Sequence, residues 1–430
     1  MNAGTHAVDP GPAVAPALAP VLSGLGEVLR PAVALYVDLH HHPELSGEER
    51  RTAGALAKWL GDAGYEVTGS VGGHGVVGVL RNGEGPRVMI RTELDALPLT
   101  ERTGLPYASE GPVAHACGHD LHMAAAMGAA SLLARTRDRW SGTVVVVCQP
   151  AEETLTGARA MLADGLYERF GRPDVVMAQH AVPLPAGMIA HGYGPMLAGS
   201  AGFEITVHGR GGHAGTPHLA VDPVLAASAA VVRLQGAVSR ECAPGEHVTL
   251  NVGAFHAGTA GNLIPDRADL SVTVRALSES TLDRMTEAVR RIVRAECAAS
   301  GCPRDPELRT VARSPVTHPD PETTGRVRAA HESLYGPHRI SLWPPSFATE
   351  DYPLYGDAGT AIHGQSGIPL AYWMLGTISP KTWSETPGTP AEKLTAFPPN
   401  HSPEFAPDVK TTLPTGIGAL VSGVWGWVGN

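Results

Sequence analysis

Two apolar rhythms alternate along this chain, and their order predicts its architecture. Helical periodicity begins near Val21 and runs to about Leu39, ending in Leu39-His40-His41-His42-Pro43-Glu44-Leu45. Adjacent histidines point in different directions and Pro43 ends the helix, so a turn with a capping role is expected there in preference to metal ligation. Ser46-Gly47-Glu48-Glu49 opens a second helix to about Ala63, with Ser46 as N-cap and Glu49 completing a capping box. Gly75–Leu80 and Arg87–Arg91 are short β-type runs, read as a hairpin across Asn82-Gly83. A helix follows Gly118. Thr143–Gln149 is then a continuous apolar run of the kind shown by a strand buried on both faces. A helix near Gly157–Asp164 leads to a similar strand at Asp174–Gln179. Strands alternating with helices imply βαβ units and a largely parallel sheet covered by helices.

The rhythm changes after a Gly-rich, hinge-like stretch at Pro195–Gly202. Strand patterns at Phe203–His208, Val248–Phe255, Ala268–Arg275 and near Leu308–Val311 interleave with helices at Pro223–Arg240 and Glu279–Ala299. That βαββαβ order is the ferredoxin-like plan and has the size of one inserted domain. Helix resumes at Glu322–Tyr335, and Leu370–Leu375 reads as a strand rejoining the main sheet. Pro-rich loops lie at Trp343–Pro353 and Pro380–Pro403. The expected fold class is α/β: a mixed, largely parallel sheet covered by helices, with an inserted ferredoxin-like α+β domain. The expected boundaries are a disordered leader over 1–20, a catalytic domain in two parts (21–197 and 315–430), and the insertion over 198–314.

Composition narrows the class. At 430 residues the chain exceeds one ordinary core. A net charge of -10 argues against nucleic acid or an anionic membrane as partner, while leaving a small anionic substrate open. The five cysteines show no framework spacing; Cys297 and Cys302 could pair, but a reducing cytoplasm is the simpler expectation. Residues 1–20 lack the basic start and apolar run of a signal peptide, and no stretch has the length of a membrane span.

The densest chemistry lies in Ala114–His122, where one thiol, three imidazoles and one carboxylate fall within nine residues. Thiolate with imidazole suits a borderline metal such as zinc. Alone, the C-x-H spacing reads equally well as a buried structural cysteine beside satisfied histidines. Three strand ends shift that balance: Arg91-Thr92-Glu93-Leu94-Asp95, Gln149-Pro150-Ala151-Glu152-Glu153 and Gln179-His180 deliver polar groups to one sheet edge, where open α/β sheets build their sites. The ligand-capable set is Cys117, His119, Glu153, His180 and His401, with Glu152 beside it. Five ligands exceed the needs of one tetrahedral zinc and favour two ions sharing a water or hydroxide. Neighbouring loop carboxylates point apart, so one can hold metal while the other faces that water as general base. A bare Glu-Glu pair is more often solvated surface; this one directly follows an apolar strand.

These segments resemble the dinuclear metal-dependent aminoacylase and carboxypeptidase family, in the branch of hippurate hydrolases and auxin-conjugate amidohydrolases. The resemblance rests on Leu39-His40-His41-His42-Pro43-Glu44-Leu45, Arg91-Thr92-Glu93-Leu94-Asp95-Ala96-Leu97-Pro98, His115-Ala116-Cys117-Gly118-His119-Asp120, Gln149-Pro150-Ala151-Glu152-Glu153, Gly211-Gly212-His213-Ala214, Asn262-Leu263-Ile264-Pro265-Asp266 and Asn400-His401-Ser402-Pro403. They occur in family order and span roughly residues 36–405. The resemblance implies that Cys117, His119, Glu153, His180 and His401 bind two divalent ions (zinc, manganese, cobalt or nickel) and that Glu152 is the acid/base. It implies that the insertion is a lid and dimerisation domain of a homodimer or dimer-based oligomer, whose His213 reaches the partner's site to donate to the oxyanion. Asn262 and Arg275 would bind a substrate carboxylate, and Asp95, just behind the ligands, would orient a ligating imidazole, unless it is a plain end-of-strand cap. The chain departs from the family pattern at Glu93, at Thr154-Leu155-Thr156-Gly157-Ala158, at Thr349-Glu350-Asp351-Tyr352 and in a longer Pro380–Pro399 loop.

The expected activity is metal-dependent hydrolysis of N-acyl amino acids or related small amides in the cytoplasm. The alternatives are a dipeptidase, an N-carbamoyl-amino-acid hydrolase, or a catalytically silent metal- or ligand-binding homologue.

Overall fold

In the computed structural model, which describes residues 14–429, the described part opens with helix α1 (Val14–Leu22), which breaks at Ser23-Gly24 before α2 (Leu25–His41). Leu18 and Val21 are fully buried in the main core, so the stretch expected to be a disordered leader to residue 20 is helical from Val14; residues 1–13 of that expectation lie outside the described residues. The next helix, α3 (Arg50–Asp62), lacks the expected capping box. Ser46 Oγ instead donates to Asp95 Oδ2 at 2.7 Å, and the Glu44 carboxylate accepts the N–H groups of Arg51 and Thr52 at 3.0 and 2.8 Å. A more distant carboxylate thus satisfies donors that a helix start leaves without partners.

The hairpin that follows joins β1 (Glu66–Val71) to β2 (Gly75–Asn82), not β2 to β3 (Arg87–Glu93). After α4 (His119–Arg135), strand β4 (Gly142–Gln149) enters between β2 and β3, antiparallel to the first and parallel to the second. Every position of β4 is buried, so both of its faces are covered. Helices α5 (Gly157–Ala163) and α6 (Leu166–Phe170) lead to β5 (Val175–Pro185), which runs parallel to β3, and then to β6 (Ile189–His191).

A second unit comprises Pro195–Thr317 with Pro345–Glu350. Its elements are β7 (Gly199–His208), β8 (Gly212–His213), α7 (Pro223–Glu241), β9 (Val248–Ala257), β10 (Leu263–Ile264), β11 (Arg267–Ala276), α8 (Glu279–Ala299) and β12 (Glu307–Ser314). The long strands form an antiparallel sheet in the order β12-β7-β11-β9, the ferredoxin-like arrangement, while β8 and β10 pair as a separate ribbon. Ala226, Ala230 and Leu234 of α7, with Leu282, Val289 and Val293 of α8, share the core of Phe203, Ile205, Leu270 and Val272.

The chain then returns to the first unit through α9 (Pro321–Tyr335), β13 (Ile340–Leu342), α10 (Thr360–His363), β14 (Leu370–Ile378), α11 (Pro380–Glu385), α12 (Pro390–Leu394) and α13 (Val409–Val428). The completed sheet reads β1-β2-β4-β3-β5-β14-β6-β13, with β14 parallel to β5. No helix among the described residues is long and apolar enough to cross a membrane.

Candidate metal centre

Each polar side chain reaches the site for a local reason. Cys117 and His119 flank Gly118, which starts α4 at φ +87°, a conformation that suits glycine. A Cβ there would also lie 2.9 Å from the Cβ of Ala181 on β5. Glycine therefore lets α4 begin close against the sheet. Glu152 and Glu153 sit on the turn after β4, entered through Ala151 at φ +51°. That turn is held from both sides: Ala151 N donates to Glu49 Oε1 at 2.8 Å and Glu153 N to Asp95 Oδ2 at 2.9 Å. His180 lies within β5 rather than at its end, because the strand continues to Pro185. His401 comes from the loop before α13, at φ +68°, with its N–H on Ala116 O at 2.8 Å.

These segments converge. Cys117 Sγ is 3.5 Å from His180 Nε2, His401 Nε2 is 3.4 Å from Glu153 Oε2, and His119 Nε2 is 3.7 Å from Glu152 Oε2 and 3.9 Å from Glu153 Oε1. Of the donor groups found among the described residues, three overlap here, each with atoms within 4.8 Å of one another: Cys117 with His119 and His180, Cys117 with Glu153 and His401, and His119 with Glu152 and Glu153. His119 Nδ1 is bonded to the backbone oxygen of Asp95 at 2.8 Å, with the Asp95 carboxylate farther off at 3.5 Å. The carbonyl is thus the nearer orienting partner, and it leaves Nε2 facing the cluster.

Electrostatics suit cation binding. Burial and the Glu153 carboxylate push the Cys117 thiol up, but the imidazoles of His180 and His119 pull it down further, to about 5. The thiolate and Glu153 hold His401 up at about 10 against partial burial. Inside the cluster, His119 Nε2 and Glu153 Oε1 are buried without a hydrogen-bond partner. Such atoms carry a desolvation cost that a bound ion removes. Sulfur, nitrogen and oxygen donors at these spacings fit borderline divalent metals.

The second unit carries the remaining sequence-selected residues. His213 and Asn262 adjoin on the β8–β10 ribbon, where Ala214 N donates to Asn262 O at 3.1 Å. Gly215 N donates to His213 Nδ1 at 2.9 Å, so the neutral ring keeps its proton on the other nitrogen, Nε2. Arg275 lies near the far end of β11 from the ribbon, about 25 Å away at strand rise, with its guanidinium on Phe347 O. Asn262 and Arg275 therefore do not meet within one chain. Sequence reasoning missed the roles of His122, His40 and Asn400, although all three stand in the motifs it singled out.

A family model described as peptidase family M20/M25/M40 matches residues 89–379. The chain belongs to that family. It is 38% identical over 321 residues to a hippurate hydrolase of Campylobacter jejuni, covering 74% of this chain and 82% of the relative. It is 32% identical over 385 residues to an N-acetylcysteine deacetylase of Bacillus subtilis, covering 87% and 96%. Among solved structures, the Bacillus subtilis YxeP protein, described as a dinuclear metal-binding peptidase of the M20 family, matches with a TM-score of 0.73 and 27% identity, covering 93% of this chain and 98% of that one. Membership makes this chain a hydrolase of the amidohydrolase and metallopeptidase kind.

Proposed function

We propose that this hydrolase cleaves the amide bond of N-acyl amino acids or related small amides bearing a carboxylate, with two divalent metal ions. The observation that carries this reading is that Cys117 belongs to two of the three-donor groups, so a single thiolate stands within reach of two ions. When bound, the ions would lower the pKa of a water towards neutrality and polarise the acyl carbonyl. Cys117, His119, Glu153, His180 and His401 hold the metal. Glu152, against His119, takes the proton of the attacking water and returns it to the leaving amine. Asp95 orients His119.

Assembly as a dimer belongs to the same proposal. His213 and Asn262 stand too far along the sheet from Arg275 to share a substrate carboxylate within one chain, so a second copy supplies one set. Leu225 and Val232 of α7 are 67% and 74% exposed, and β9 is bonded on one side alone, which suits a face covered by another copy. His213 Nε2–H would then donate to the oxyanion. All five cysteines are free, which suits a reducing cytoplasm.

The test is metal analysis of the purified protein alongside hydrolysis of N-acetyl, N-benzoyl and N-carbamoyl amino acids and dipeptides. We expect about two ions per chain and turnover of the N-acyl compounds. Preference for carbamoyl compounds or dipeptides would move the substrate class but keep the site. Stoichiometric metal with no turnover on the whole panel would sink the enzymatic reading.

A further inference from the structure

Asn400, immediately before His401, joins three separate pieces of the site. Its side-chain nitrogen lies 2.9 Å from Ala181 O, 3.2 Å from Cys117 O and 3.9 Å from Cys117 Sγ. All three are acceptors, so the nitrogen and not the oxygen of the carboxamide must face them. One N–H serves Ala181; the other lies between the carbonyl and the sulfur of Cys117.

The Ala181 carbonyl does a second job. It accepts from His180 Nδ1 at 2.9 Å, which fixes the proton there and leaves Nε2 for the side of Cys117. Asn400 therefore holds the oxygen that sets the tautomer of His180, while also gripping the backbone of Cys117 and preceding His401. His401 is in the left-handed region at φ +68°, a strained placement for a non-glycine residue that persists where the surroundings over-determine it. The Asn400 bonds and the His401 N–H on Ala116 O are the restraints that do so.

We propose that Asn400 is a positioning residue of the metal centre: it sets the affinity with which Cys117, His180 and His401 hold metal, without itself being a ligand. The inference rests on the metal reading of the site given above. An apolar side chain of similar size keeps the volume but loses both donors, and alanine loses volume as well.

Asn400→Leu and Asn400→Ala test it, with zinc alone as probe, its affinity measured by competition against a chromophoric chelator. The cobalt-substituted absorption spectrum and the melting temperature of metal-free protein are read on the same samples. Both variants should lose about 10- to 100-fold in zinc affinity, the range seen when groups that orient metal ligands are removed. Their cobalt spectra should shift, and their metal-free melting temperatures should stay near wild type. Zinc affinity within about twofold of wild type would overturn the proposal. So would a metal-free melting temperature that falls in step with affinity, which would make Asn400 an ordinary structural residue. Wild-type protein that took up no zinc would overturn the metal reading itself, a result independent of the variants.

Discussion

His122 Nε2 accepts the backbone N–H of Ala181 at 2.8 Å, one residue beyond His180. The ring must therefore carry its proton on Nδ1, aimed at Glu93 Oε2 at 2.9 Å. Glu93 pairs with Arg91, whose guanidinium also reaches Asp351 and Gln149, each at 2.9 Å. Burial alone would raise the Glu93 carboxyl; Arg91 and then His122 hold it well below the usual range. A dry run of charges thus stands behind the donor cluster.

Breaking that run should be costly. Glu93→Leu leaves Arg91 and His122 buried with one partner fewer, and we expect a loss of about 3–5 kcal/mol in denaturant unfolding. Lys58→Ala, which removes an ion pair with Asp62 exposed at 76% and 68%, should stay within about 0.5 kcal/mol. Equal effects would show that the buried network carries no special weight.

Glu152→Ala should bind metal at wild-type stoichiometry yet lose about 10²–10⁴ in turnover of an N-acyl amino acid. Near-wild-type turnover would remove Glu152 from proton transfer, whatever the metal content.

Metal uptake should release protons. His401 titrates at about 10, held up by the Cys117 thiolate and Glu153, and His119 and His180 are also raised, against burial, by Asp95 and Cys117 and by Cys117 respectively. Ligation needs neutral imidazoles, so zinc affinity should rise with pH above neutrality, about tenfold per unit for each proton displaced. Titration calorimetry in buffers of different ionisation enthalpy counts those protons. A count of zero at pH 7 would contradict the donor assignment.

His40 makes a separate pH-sensitive brace. Burial opposes its charge, but Asp120 at 2.6 Å and Glu101 at 3.1 Å raise it from 6.5 to about 9. A raised cation stabilises fully below its unfolded value of 6.5, and that contribution fades as pH climbs through 9, amounting to about 3 kcal/mol for a shift of this size. Asp120 and Glu101 are lowered, so their share fades at the acid end instead. Unfolding free energy should thus be greatest near pH 6 and decline towards pH 10. His40→Gln should flatten the alkaline decline; an unchanged slope would rule out His40 as its source.

In mixed dimers, His213→Ala should be rescued by a Glu152→Ala partner, since each chain would supply what the other lacks. Activity no higher than the sum of the two homodimers would end the in-trans proposal.

The sequence revealed what depends on local repetition. Val144–Val147 announces a buried strand by composition alone, and the βαββαβ order of the inserted unit follows from alternating apolar runs. Pairing was harder to see. Asn82-Gly83 is a local turn signal, but β3 finds its partners in β4 and β5, a choice made by burial across the sheet. Strand β1 escaped notice because it has a single buried residue, Val71, and no continuous apolar run. Ser46 misled for the same kind of reason: its hydroxyl has a better acceptor in Asp95, 49 residues away. The donor residues were legible because thiol, imidazole and carboxylate are rare together. His122 and Asn400 were not, since their roles consist of hydrogen bonds to backbone atoms far along the chain, 59 residues away for His122 and 219 and 283 residues away for Asn400.

Strand β14, which follows the inserted unit, lies between β5 and β6, both of which precede it. A ribosome must therefore deliver the chain through Ile378 before the central sheet can close. Until then β5 presents a bare apolar edge, the sort of surface on which chains clump and chaperones act. The inserted unit, mostly contiguous in sequence, is free of that delay. Catalytic competence is thus a late event in the life of each new molecule, reached only when the segment after β14 brings His401 to the donors already waiting.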